Sequence, residues 1–558
     1  MKKRLGGWAV VVLMLSLTIH PSKAASPGLS AIRADDLREW LTYIASDELE
    51  GRGNYSIGLG LAAAYVEDHL RAWGVKPAGD TGSYLQTVRV LGVHATSHST
   101  VTVQVDGETR TFKDGEGVTF PRNAGGKQTL TLDRVEFVGY GLDVPAVHHT
   151  DLLGKNVRGS LVVWLGPRGP KELDGTSYRR LVFGRSRRAI EELFAAATIG
   201  EQAPAGTGRG GQAQSSSVPG APQQIDFTTP ERLDKLAAPT VTANESFLTF
   251  LFSHAPVGYD DLKRRAAAQE PLPSFRLDGV KVTFNVDADY QVVRTQLSTN
   301  VVGVVEGGDA RLKNTYIALG AHYDHVGYAD SEPGPNATRP APAGGRVNPA
   351  APDDRIWNGA DDDGSGTVAL LALAKSFAQG PRPKRSLLFV WHSGEELGTY
   401  GSRYFADHPT VPIDSIVTQL NIDMIGRNRD DKASEADTVY LVGSDRISSE
   451  LHQISRDADR RLPRPLTLDY ELNDPSDPEQ IYYRSDHHSY AAKGIPVIFF
   501  TTGLHPDYHM NTDDVSKILF DKMTRIVQLV YETAVGVANL DHPPAHDNKG
   551  ARAGKDTK

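Results

Sequence analysis

The 558-residue chain predicts an α/β architecture: a largely parallel mixed sheet flanked by helices, preceded by an inserted β-rich unit. Two observations carry this expectation. Between Leu297 and Asn539, continuous apolar runs (315–320, 386–391, 416–422, 438–442 and 496–501) alternate with helical segments. Strands apolar on both faces are buried on both faces, which is the mark of parallel α/β sheets. Between Gln86 and about residue 290 the pattern changes to short alternating strands such as 101–105, 135–140 and 161–165. At 39% hydrophobic and 23% charged, the composition is that of an ordinary globular chain.

At the amino end, Lys2, Lys3 and Arg4 precede an apolar run of about 12 residues, Trp8 to Ile19, and then Ser22-Lys23-Ala24. Residues 1–24 are expected to be a secretory signal peptide, because a spanning helix needs roughly 20 apolar residues. That implies an exported protein, periplasmic or extracellular, without stable membrane insertion. The chain has no cysteine, so it carries neither an acylation site nor a disulfide. Residues 25–95 form a predicted helical segment, with apolar spacing at Leu37, Leu41 and Ile44 and again at Ala62, Tyr65, Val66 and His69. Gly51, Gly53 and Gly58 break the two runs. Residues 96–290 are the β-rich region, interrupted at 200–224 by a Gly, Ala, Ser, Gln and Pro stretch expected to be flexible. Residues 291–540 form the α/β core, in which helix 366–378 is apolar nearly all round, and 541–558 a polar tail expected to be disordered. The Pro/Gly-rich stretch 329–357 lies between the strongest motifs, where a long loop forms a functional rim. The net charge of −9 and the lack of a basic stripe exclude nucleic acid as an expected partner. No pattern sets an oligomeric state.

The chemistry lies at the strand ends. His322 and Asp324 follow the first apolar strand, Glu395 and Glu396 the second, Asp423 the third, and His509 lies beyond the last. Ligands collect at the carboxyl ends of strands in open α/β sheets, so these residues are expected to converge. Imidazoles with carboxylates and no thiolate suit a divalent metal such as zinc. One catalytic metal uses about three protein ligands, and the surplus points to two sharing a bridging carboxylate. The turn Asn358-Gly-Ala-Asp-Asp-Asp-Gly-Ser-Gly366 supplies such a carboxylate at the mouth of a buried helix. Taken alone, that run also suits a calcium loop or a plain helix cap.

In order, Gly320-Ala-His-Tyr-Asp324, Gly359 to Gly366, Ser393-Gly-Glu-Glu-Leu-Gly398, Asn421-Ile-Asp423, Ser485-Asp-His-His488 and Tyr508-His509 with Asp513 resemble peptidase family M28, the co-catalytic zinc aminopeptidases. Ser46-Asp-Glu-Leu-Glu-Gly-Arg52 resembles the opening of bacterial members. Residues 135–142 with 154–163 resemble a protease-associated domain. The resemblance implies a zinc-exopeptidase, phosphorylase/hydrolase-like fold and two zinc ions per chain acting on peptide substrates. It makes Asp362 the bridging ligand, places His322 and Asp423 on one metal and Glu396 and His509 on the other, and makes Glu395 the general base. Asp324 is expected to accept the other imidazole N–H of His322 and orient that ring. Tyr482 or Tyr483 is a candidate donor to the substrate carbonyl, and Asp361 and Asp363 are candidates for the substrate ammonium. His325, His487, His488 and His505 are expected to serve as rim or supporting groups. Three alternatives stay open: a glutamate-carboxypeptidase-like enzyme, a glutaminyl-cyclase-like enzyme and a non-catalytic scaffold. The first needs basic groups, and Arg403, Arg427 and Arg484 form no recognisable cluster in the sequence.

Overall fold

The computed structural model describes residues 27–173, 178–203, 225–329 and 344–547. The expected signal peptide, most of the 200–224 insertion, part of the 329–357 rim and the end of the tail lie outside the described residues.

Helix α1 (Ala34–Ile44) buries Leu37, Trp40, Leu41 and Ile44, the spacing read from the sequence. Helix α2 (Ile57–Ala72) is capped by Ser56, whose hydroxyl accepts from the Leu59 N–H at 3.1 Å. There follow β1 (Leu85–Ser97), β2 (Ala288–Val305), β3 (Tyr316–His322), α3 (Gly366–Gln379), β4 (Ser386–His392), α4 (Tyr400–Asp407) and β5 (Ile416–Ile422). The chain closes with β6 (Thr438–Val442), α5 (Ser449–Arg461), β7 (Thr467–Asp469), β8 (Val497–Thr501) and α6 (Phe520–Ala538).

The main sheet runs β1-β2-β4-β3-β5-β8-β6-β7, with Asp226–Thr228 pairing outside β1 and Lys76–Pro77 on β2. Its four central strands are parallel and in register at their carboxyl ends: His322 pairs His392, Gly320 pairs Asn421, and Ile422 pairs Phe500. Outside that centre, β2 runs antiparallel to β1 and β4, and β6 antiparallel to β8. Parallel pairing is therefore narrower than the apolar runs suggest, because a continuous apolar sequence reports burial on both faces and not strand direction. Helices α1, α2, α3 and α6 cover one face, and α3 is buried throughout from Gly366 to Ala374. The opposite face is closed by Phe405 of α4 together with Leu472, Ile481 and Tyr490.

A second ten-stranded sheet is built from residues 100–286 around its own core of Phe137, Leu161, Val163, Ile199, Phe247, Leu251 and Phe284. Its strands 135–137, 161–164, 197–201 and 240–243 are mutually parallel. No helix among the described residues is long and apolar enough to cross a membrane.

Leu371 is fully buried at the centre of α3. Leu371→Ala is expected to destabilise the chain by about 3 kcal/mol, from lost burial plus the cavity left behind, read as a lower urea midpoint.

Candidate metal centre

The in-register ends of the four parallel strands form one rim, and the site is assembled on it. β3 ends at His322, the turn after β4 carries Glu395 and Glu396, Asp423 follows β5, and the loop after β8 returns His509. The turn 359–365 brings Asp362 to the same rim as it enters α3. Gly359 is required there, with φ at +55° and a Cβ position 2.2 Å from the Asp362 carbonyl and 2.5 Å from the His325 ring. Gly366 has no more room, since its Cβ would stand 2.4 Å from both Asp363 Oδ1 and the Ile422 carbonyl. The Asp362–Asp363 peptide bond is cis.

Two donor groups share Asp362. In the first, His322 Nε2 stands 3.3 Å from Asp362 Oδ1 and 3.7 Å from Asp423 Oδ2. These three donor atoms are close enough together to reach one divalent ion. In the second, His509 Nε2 stands 3.2 Å from Asp362 Oδ2 and 2.9 Å from Glu396 Oε2, while His325 Nδ1 meets Glu396 Oε1 at 2.8 Å. Asp362 Oδ2, Glu396 Oε1 and both His325 ring nitrogens are buried without a hydrogen bond. Donors that face one another in the dry without hydrogen-bond alignment fit a shared cation, so the residues present suit a divalent metal.

Around the donors, carboxylates are held by main-chain N–H groups. Asp363 Oδ2 accepts from His322 N at 3.1 Å, and its Oδ1 from Gly366 N at 2.9 Å and Met424 N at 3.2 Å. Asp513 Oδ2 accepts from the N–H groups of Asp361 and Asp362, both at 3.0 Å. Ser485 donates to Asp423 Oδ2 at 2.7 Å and is itself held by Asn421 Nδ2 at 2.9 Å. Beneath the turn lies Arg52, fully buried, which donates to the carbonyls of Ile44, Tyr323, Asn358 and Gly359 at 2.6, 3.0, 2.7 and 2.9 Å. Burial pulls its guanidinium down to about 10, against Asp363, Asp324 and Asp362, which favour the charge.

The structure brings His322, Asp362, Glu395, Asp423 and His509 to the lining of one inner cleft, with Glu396 behind it. Burial holds the Glu395 carboxyl well above the usual carboxylate range, against the pull of His322. Four expectations need correction. Asp324 orients His322 through its main-chain carbonyl, 3.1 Å from Nδ1, while its carboxylate stands 3.7 Å away and accepts the Glu395 N–H at 3.2 Å. Asp361 and Asp363 are fully buried and absent from the cleft lining; Asp363 accepts main-chain N–H groups on both oxygens, and Asp361 Oδ1 takes Gly426 N at 2.6 Å. Tyr482 lies under the Arg446 guanidinium, 3.7 Å from its ring centroid, and the Tyr483 hydroxyl donates to Glu192. The tyrosine that does line the cleft is Tyr508, which the sequence carries beside His509. His325, expected to be supporting, sits within the second donor group, and the signal was its place three residues after His322 on the same strand end. His505 approaches Asp361 Oδ2 at 3.3 Å, and His487 is buried against Phe499.

Residues 300–534 match the model of peptidase family M28. This segment resembles an M28 peptidase domain. Over 199 residues the chain is 29% identical to the probable leucine aminopeptidase 2 of Aspergillus oryzae, covering 35% of this chain and 32% of that protein. Over 141 residues it is 28% identical to the vacuolar membrane protease of Candida dubliniensis, covering 25% of this chain and 12% of that one. The chain thus spans a third or less of the length of these two relatives. A solved zinc aminopeptidase from Bacillus subtilis is 17% identical, with a TM-score of 0.41 over 93% of this chain and 99% of that one. The M28 segment begins within β2 and ends within α6, so it contains every donor named above.

Arg52 lies outside that segment and supports it. Arg52→Met leaves buried carbonyls unanswered and is expected to cost about 3 kcal/mol or more, read as a lower urea midpoint. His325→Ala is expected to reduce the metal retained per chain after dialysis against a weak chelator, measured by elemental analysis, with the fold unchanged by circular dichroism.

Proposed function

We propose that the chain is an exported metal-dependent aminopeptidase that removes amino-terminal residues from peptides. The observation that carries this reading is the convergence, inside the M28 segment, of two donor groups on Asp362 with Glu395 facing the same cleft. Two zinc ions would be held by His322, Asp423 and Asp362 on one side, and by Glu396, His509 and Asp362 on the other, with His325 adjoining the second. Bound there, zinc supplies Lewis acidity toward a water molecule and toward the scissile carbonyl. Glu395 takes the proton from the attacking water on its carboxylate. Once protonated, it delivers that proton to the departing amine nitrogen. Asp324, pushed up to about 7 by burial, fixes the Glu395 main chain through the 3.2 Å bond and holds its carboxylate toward the cleft. Met424, Ile481, Phe499 and Leu504 give the inner cleft an apolar wall for the side chain of the residue removed. The second sheet, with its own core and the motifs at 135–142 and 154–163, is assigned in this reading to a protease-associated unit.

One observation favours a second reading. Arg484 lines the cleft beside Glu395, and a basic group there suits a substrate carboxylate, as a carboxypeptidase-like enzyme needs. Mass spectrometry of a peptide pool separates the two. Chelator-sensitive loss of single residues from the amino end is expected, whereas loss from the carboxyl end, or turnover of N-acetylated peptides, selects the second reading. Glu395→Gln is expected to lower kcat by about a thousandfold or more while metal content stays unchanged. Loss of metal in that variant would make Glu395 a ligand instead.

A further inference from the structure

Past Tyr508 and His509 the inner cleft opens into a vestibule of about 440 Å3, lined by Arg180, Arg346, Arg484, Leu504 and His505. The three arginines come from remote parts of the chain. Arg180 lies in the short helix 179–183 that follows strand 161–164 of the second sheet, Arg346 in the rim between β3 and α3, and Arg484 just after the turn 481–483. They are tied to one another through two residues. Glu479 Oε2 accepts from Arg180 Nε at 3.1 Å and from Arg484 Nη1 at 2.7 Å. Arg484 Nη2 donates to the Tyr508 hydroxyl at 3.2 Å, and Arg346 donates to the Tyr508 carbonyl. One carboxylate therefore answers two of the three guanidiniums, and among the described residues Arg346 pairs with none. The Arg484 side chain is only 16% exposed, so its charge is weakly screened. An excess of positive charge around a concavity attracts an anion, and guanidinium forks match the planar geometry of a carboxylate.

Arg484, Leu504, Tyr508 and His509 line both cavities, so the step from inner cleft to vestibule is short. One extended residue covers about 3.5 Å. We infer that the vestibule binds a carboxylate borne by the residue immediately beyond the scissile bond. The favoured substrates are then dipeptides, through their free carboxyl terminus, and peptides with Asp or Glu at that position. The inference rests on the peptidase reading of the adjoining donor groups.

Four substrates test it on the full-length chain: Leu-Leu, Leu-Leu-amide, Leu-Glu-amide and Leu-Leu-Leu-amide. A carboxylate on the second residue is expected to raise kcat/KM by about tenfold or more over the uncharged amides. Leu-Leu above its amide identifies the terminal carboxylate as the source; Leu-Glu-amide above Leu-Leu-amide identifies the side chain. In Arg346→Gln and in Arg180→Gln, both on exposed side chains, that ratio is expected to fall toward one. Equal rates for acid and amide would overturn the inference while leaving the peptidase reading intact. Should no substrate be cleaved, the peptidase reading fails, and calorimetric titration with N-acetyl-leucine and N-acetyl-leucinamide judges the vestibule without turnover. Tighter binding of the acid that weakens in both variants supports the inference. An advantage that is absent, or that survives both substitutions, overturns it.

Discussion

Burying carboxylates together is the constraint that the rest of this structure answers. Asp324, Asp361, Asp362, Asp363, Asp423, Asp486 and Asp513 are all buried, and most of them crowd one rim of the sheet. In a dry interior, charges of one sign are tolerated only when each finds a donor or a cation. Asp363 accepts main-chain N–H groups on both oxygens, and Asp361 and Asp513 on one oxygen each, which ties all three into the turn. Asp362 and Glu396 retain buried oxygens with no hydrogen-bond partner, and there the imidazoles gather. What sets Asp362 and Glu396 apart is that His509 and His325 stand against those oxygens at the cleft, while Asp361 is anchored by the Gly426 N–H and Asp513 by the N–H groups of Asp361 and Asp362.

The elements that burial alone determines were legible in the sequence. Strands 386–391, 416–422 and 438–442 and the apolar helix after Gly366 appear within a residue or two of the expected bounds, because a long apolar run has few alternatives inside a large core. The meeting of His322, Asp362, Glu395, Asp423 and His509 was legible for a related reason: strand ends are where open sheets place ligands. What escaped depends on atoms and not on residue types. Which oxygen of Asp324 faces His322 is decided by the Glu395 N–H. Asp361 and Asp363 are anchored by main-chain donors that no side-chain pattern reports. Strand direction at the sheet margins was hidden because apolar runs carry no polarity. The arginine cluster was hidden because Arg180, Arg346 and Arg484 are brought together only by the tertiary fold, while Arg427, nearer to the motifs, is engaged with Asp431 and Asp507.

The two sheets communicate with the site in different ways. The main sheet sets the donor atoms, through the in-register carboxyl ends of β3, β4, β5 and β8. The second sheet reaches the cleft through the segment after residue 178. Glu192 takes Arg446 at 2.9 Å and the Tyr483 hydroxyl, Glu191 meets His488 at 2.9 Å, and Arg180 meets Glu479. Tyr482 and Tyr483, attractive as substrate contacts, are instead part of this junction. Residues that look catalytic by proximity in sequence serve here to hold one layer of the molecule against another.

The Arg52 clamp also joins parts of the chain that lie far apart in sequence. Its guanidinium is synthesised 271 residues ahead of Tyr323 and 307 ahead of Gly359, two of the carbonyls it must meet. Without the chain beyond residue 322, α1 and α2 carry a charged side chain whose one carbonyl partner is Ile44, and they lack α3 and α6 to pack on. The second sheet, whose strands all lie between residues 100 and 286, finds all its partners within a much shorter span of chain. The metal-binding rim, drawn from residues 322 to 509, and the amino-terminal helices that brace it are therefore joined by contacts of long sequence separation, while the second sheet is local.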